Sequence, residues 1–143
     1  MKLTEADEVL LATLREDARA STAQIARKLG VSRTTVQSRI EKLERQGVIA
    51  GYTVRVHDEV EQGHIRAHIM ITVLPKQMAQ VVKALQAIAE IRELHSVSGP
   101  YDLVALGMAA TVGDIDVLTD RIGALDGVER TTSAIVLATK FER

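Results

Sequence analysis

The chain has 143 residues, a net charge of −1 and no cysteine, which excludes a disulfide framework and a thiolate zinc site. Hydrophobic residues make up 46% and aromatics only 2%, enough for one ordinary domain or two small ones with an aliphatic core; with no signal-type leader and no run near the ~18 apolar residues of a membrane span, a soluble cytoplasmic protein is expected. The charge is uneven: residues 21–57 hold seven Lys/Arg against two Asp/Glu, while residues 58–143 hold eight against twelve, so the first block suits a polyanion and the second does not.

Thr4 to Asp7 reads as a capping box with Asp at its fourth position, and Ala6, Val9, Leu10 and Leu14 follow at helical spacing. This first helix should end near Asp17. Ser21-Thr22-Ala23-Gln24 is a second capping box, with Ile25, Ala26 and Leu29 on the buried side of a second helix. Gly30 stands where a helix end favours a left-handed residue. Ser32 caps a third helix, with Val31 and Val36 as its staple.

The apolar stripe of that third helix is narrow: Val36, Ile40 and Leu43. At about 100° per residue, Thr34, Ser38, Glu41 and Arg45 lie opposite it, with Gln37 and Lys42 on the shoulders and Arg33 in the first turn. Arg, Gln, Ser and Thr suit base edges, and Lys and Arg suit phosphates. Two short helices joined through a glycine turn are the helix-turn-helix arrangement. A basic amphipathic helix alone is more often a solvated face; three capped helices in tandem and the basic block favour a DNA reader. "VIAGYTVRV", from Val48, reads as a strand that is either a wing or the way out of the reader.

His57 to Gly63 is polar and reads as a linker. Beyond it come a strand over 64–75 with Ile65, Ala67, Ile69, Ile71 and Val73 on one face, then a helix with Met78, Val81, Val82, Leu85 and Ile88 inward. Two strands follow, "IRELHSVSG" and the apolar, central "LVALGMAA". A helix with Ile115, Leu118, Ile122 and Leu125 inward precedes a last strand from Val128. The order β-α-β-β-α-β is the split βαβ arrangement. The expected fold is α+β: an N-terminal (winged) helix-turn-helix domain joined to a ferredoxin-like βαββαβ sandwich. The parts are a DNA-binding domain at 1–50, a linking strand and linker at 51–63, and an αβ ligand-binding and oligomerisation domain at 64–143. One face of the sheet lacks a cover, which predicts a homodimer.

In the turn "SVSGPYD", Gly99 gives backbone freedom, Tyr101 an amphipathic ring and Asp102 a carboxylate. A well-made hairpin and a ligand site both fit. Thr131 and Ser133 point one way from the last strand and Thr132 the other; an ordinary hydroxyl row and a polar pocket both fit. His64 and His68 share a strand face but stand about 13 Å apart, too far for one metal. No nucleophile–base pair or phosphate loop supports an enzyme.

Asp7, "LGVS" at Leu29 to Ser32, "RIEKLERQGVIAGY" at Arg39 to Tyr52, "HSVSGPYDLVALG" and "LDGVERTTSAIVL" together resemble the Lrp/AsnC family of feast/famine transcription regulators, across essentially the whole chain. The resemblance implies dimers joined through the αβ domains and the linking strand. It also implies further assembly, often to an octamer around which DNA can wrap. An amino-acid effector would bind between dimers, around Gly99, Tyr101 and Asp102 with help from Thr131 and Ser133; no other cofactor or metal is implied. Where the family often has Thr, this chain has Ser133, which leaves the effector open. The expected DNA-binding residues are Ser32 at the helix start, Arg33, Thr34, Gln37 and Ser38 at base edges, and Arg39, Lys42 and Arg45 at phosphates, on double-stranded DNA. The competing reading is an effector-binding oligomer whose helix-turn-helix contacts protein.

Overall fold

A computed structural model describes residues 2–57, 60 and 63–142. The chain divides into two compact units, Met1–Arg55 and Val56–Arg143. Of the expected linker, residues 58, 59, 61 and 62 lie outside the described residues.

The first unit holds α1 (Glu5–Glu16), α2 (Thr22–Leu29) and α3 (Arg33–Arg45). Both capping boxes form: Thr4 with Asp7, and Ser21 with Gln24. Gly30 takes the left-handed conformation, φ 67°, and the next amide, Val31 N–H, donates to the Ala26 carbonyl. Leu10, Leu14, Ile25, Ala26, Val36 and Leu43 form the core. Val9 is 46% exposed, against expectation. It lies about 100° around the helix from Leu10, and Asp7 and Thr13 occupy the buried side instead.

The end of α3 is a Schellman motif. Gly47, φ 69°, donates to the Glu44 carbonyl and Val48 N–H to Leu43, satisfying carbonyls that would otherwise be orphaned. Within the single chain, the stretch from Val48 to Val56, expected as a strand, carries no strand. A strand exists only in a ladder, and among the described residues none pairs with this stretch. Tyr52, Val54 and Val56 are exposed along it.

The second unit holds β1 (Ile65–Val73), α4 (Met78–Gln86), β2 (Ile91–Ser96), β3 (Leu103–Ala109), α5 (Val112–Gly123) and β4 (Val128–Ile135). The sheet is antiparallel, in the order β2-β3-β1-β4, as the split βαβ reading requires. The core joins Ile69 and Ile71 of β1, Leu103 and Ala105 of β3, Val81 and Leu85 of α4, and Ile115, Leu118 and Ile122 of α5. Met78, expected to face inward, is the first residue of α4 and stays 37% exposed. On the side of the sheet away from that core, Met70, Val104, Leu106 and Met108 are half-buried. Among the described residues no helix is long and apolar enough to cross a membrane.

Candidate functional site

Helix α3 presents two populations of side chain. Arg33, Thr34, Gln37, Ser38, Lys42 and Arg45 are exposed, and Arg39 is half-buried. Ser32 is committed as a cap: its hydroxyl accepts from the Thr35 amide and lies 2.8 Å from the Thr35 hydroxyl. Gln37 donates from its side-chain amide to Glu41, at 3.2 Å. Tyr52 donates its phenol proton to Glu44 at 2.7 Å, tying the residues after α3 back onto it. That bond, with burial and the Glu44 charge, raises the Tyr52 pKa.

Asp7 closes the capping box of its own helix, α1. Its carboxylate accepts from the Thr4 amide at 3.0 Å. Hydrogen bonds from the Thr4 amide and hydroxyl hold its pKa below the ordinary 3.8. Burial opposes this, and the charges of Lys42 and then Arg39 add to the lowering. A carboxylate lowered on folding stabilises the fold above its unfolded value, and that contribution is lost as pH falls through the folded value. The first unit should therefore weaken below about pH 4. Asp7→Asn should flatten this acid limb, checked by urea midpoints between pH 3 and 7, values bracketing the shift.

The second cluster lies in the αβ unit. Gly99 is left-handed, φ 107°, in the β2–β3 turn. Tyr101 and Asp102 are half-buried beside it. Asp102 is tied in three ways: its amide donates to the Ile71 carbonyl at 2.9 Å, its carbonyl accepts from Val97, and Oδ2 accepts from the Val73 amide at 2.7 Å. One carboxylate oxygen therefore braces the end of β1, a role the sequence did not suggest.

Thr131 and Ser133 pair with Ile71 and Ile69, both fully buried, so they face the helix side at the β4 edge. Thr132 pairs with Met70 on the opposite face. Thr131 and the turn lie at one end of the sheet with β1 between them, about 10 Å apart at ~4.8 Å per strand. The structure thus brings Gly99, Tyr101 and Asp102 together but leaves Thr131 and Ser133 on another strand of the same chain. Sequence reasoning missed Thr119, whose hydroxyl lies 3.1 Å from that of Ser133. Nothing in a helical Thr signals which strand edge it reaches.

A tri-helical unit with a helix-turn-helix, followed by a split βαβ unit, defines a protein of two-domain type. The AsnC-type helix-turn-helix domain matches residues 3–44 and the Lrp/AsnC ligand binding domain matches residues 66–143. The chain belongs to the Lrp/AsnC family of transcription regulators. It is 32% identical over 136 residues to the HTH-type transcriptional regulator LrpA of Pyrococcus horikoshii, covering 94% of this chain and 96% of that one. E. coli AsnC superposes with a TM-score of 0.88 at 25% identity, covering 100% of this chain and 97% of that one. A feast or famine regulatory protein of M. tuberculosis, complexed with L-methionine, superposes with a TM-score of 0.88 at 33% identity, covering 99% and 96%. These relatives place the chain among transcriptional regulators rather than enzymes.

Proposed function

We propose that the chain binds double-stranded DNA in a sequence-specific way and that an amino-acid effector modulates this binding. The carrying observation is α3, whose exposed side holds Arg33, Thr34, Gln37, Ser38, Lys42 and Arg45 behind a helix-turn-helix that the family match covers. Arg33, Thr34, Gln37 and Ser38 reach base edges in the major groove, and Arg39, Lys42 and Arg45 hold phosphates. Ser32 serves as the cap that sets the start of α3. Residues 1–50 form the reader, 51–63 the connection, and 64–143 the effector and assembly part.

The half-buried Met70, Val104, Leu106 and Met108 support a homodimer formed through the open sheet face, with further assembly in the cytoplasm up to an octamer. The effector sits between copies: Gly99, Tyr101 and Asp102 come from one and Thr131 and Ser133 from another, since β1 separates them within a chain. The M. tuberculosis relative solved with L-methionine supports the amino-acid class. The effector acts by binding two assembly states with different affinity.

A DNA-binding titration across a salt series, with and without each of the twenty amino acids, tests this reading. Arg33→Ala and Gln37→Ala should each cost about 1–3 kcal/mol in operator affinity, and Lys42→Ala should lower the salt slope by about one. Oligomer mass should be unchanged in all three. Affinity independent of salt would instead favour a helix-turn-helix that contacts protein.

A further inference from the structure

At the β4 edge, three groups form a hydrogen-bond chain with a fixed direction. The Thr119 hydroxyl, on α5, lies 2.9 Å from the Ile115 carbonyl oxygen. A carbonyl only accepts, so the single hydroxyl proton of Thr119 is committed there. Thr119 Oγ1 also lies 3.1 Å from Ser133 Oγ, and in that contact Ser133 must be the donor. Its only proton used, Ser133 shows its surroundings lone pairs alone, and it is exposed. The local charge has the same sense. Helix α5 carries Asp114, Asp116 and Asp120 against Arg121, and Asp116 stands one turn before Thr119, where the two side chains are neighbours.

We propose that Thr119 is a positioning residue that fixes Ser133 as a hydrogen-bond acceptor, so that the effector group meeting Ser133 is a donor: the α-ammonium of an amino acid and not its carboxylate. This rests on the reading of β4 as part of the amino-acid site. An ammonium offers three donors and no acceptor, whereas a carboxylate would set lone pairs against lone pairs beside the α5 acids. A Thr at position 133 would carry the same hydroxyl with an added methyl, so Ser133 presents the acceptor with more space around it.

The test is calorimetric titration of the full chain with each of the twenty L-amino acids, for the parent, Thr119→Val, Thr119→Ser and Ser133→Ala. Valine keeps the shape of threonine and frees the Ser133 proton to turn toward the ligand. For the amino acid that binds the parent, Thr119→Val should weaken binding about five-fold and Ser133→Ala about ten-fold, as expected for a hydrogen bond to a charged group. Thr119→Ser should restore parental affinity, which a purely packing role for the methyl would not allow. Thr119→Val binding as well as or better than the parent would overturn the proposal, because Ser133 would then act as a donor to the carboxylate. Parental affinity in every variant would remove Ser133 from the site and leave the amino-acid reading standing. No heat from any of the twenty with the parent would sink that reading, and this inference with it.

Discussion

Gly127→Ala is expected to destabilise the αβ unit by about 2–4 kcal/mol, with a melting temperature lower by on the order of 10 °C. Two effects combine. Gly127 sits at φ 94° between α5 and β4, and a Cβ there would lie 2.7 Å from Gln77 Cβ and 2.9 Å from Val81 Cγ2. Gln77 is the cap of α4 and Val81 is fully buried, so neither can withdraw cheaply. The Gly127 carbonyl also accepts from the Leu74 amide at 2.8 Å, so any backbone shift there breaks a bond at the end of β1. Two controls separate the causes. Gly107→Ala meets the far end of Leu118 at 2.7 Å and, more loosely, Ile69 Cδ1 at 3.4 Å and the Ala67 carbonyl at 4.0 Å, and has no unusual φ; it should cost about half as much. Gly123→Ala, at the end of α5 in open space, should be neutral or stabilise by about 0.5–1 kcal/mol. Calorimetric melting of the three variants checks the order; equal effects at 127 and 107 would mean that α4 yields.

What the sequence made legible was what local chemistry decides. Both capping boxes, the Gly30 turn and the inward sets of α4 and α5 follow from residues within one helical turn of each other, and they form nearly as read. The sheet order followed from element order, because β-α-β-β-α-β permits few un-knotted arrangements. The illegible parts were non-local. Val48 to Val56 alternates like a strand, but alternation shows only which side chains share a face and not whether a ladder partner exists. Gln37 and Lys42 were readable as exposed, whereas the small lowering of the Asp7 pKa by the charges of Lys42 and Arg39 depends on how the helices pack. In the candidate effector cluster the sequence marked the turn and the hydroxyls. It could not mark the Val73 amide under Asp102 or the Thr119 hydroxyl against Ser133, since both depend on register between elements 29 and 14 residues apart.

Asp102 carries the second large expected effect, and its double role decides which variant tests it. One oxygen, Oδ2, accepts from the Val73 amide at 2.7 Å; if the turn lines the proposed effector site, the carboxylate charge is also able to attract the ammonium that Ser133 meets. Asp102→Ala removes both. It leaves the Val73 amide unpaired at the β1 end, at a cost of about 1–3 kcal/mol in stability, so a lost effector response in that variant alone would say little about ligand contact. Asp102→Asn keeps a side-chain oxygen for Val73 and removes only the charge. Its denaturation midpoint should stay within about 0.5 kcal/mol of the parent, while amino-acid affinity falls at least about ten-fold, the loss expected when a hydrogen bond to a charged partner becomes a neutral one. DNA affinity without effector should match the parent in the Asn variant. If Asn binds the amino acid as the parent does while Ala does not, the carboxylate acts only as a brace for the turn. The effector would then be held there by the backbone around Gly99 and by Tyr101, and its ammonium would find its acceptors on β4.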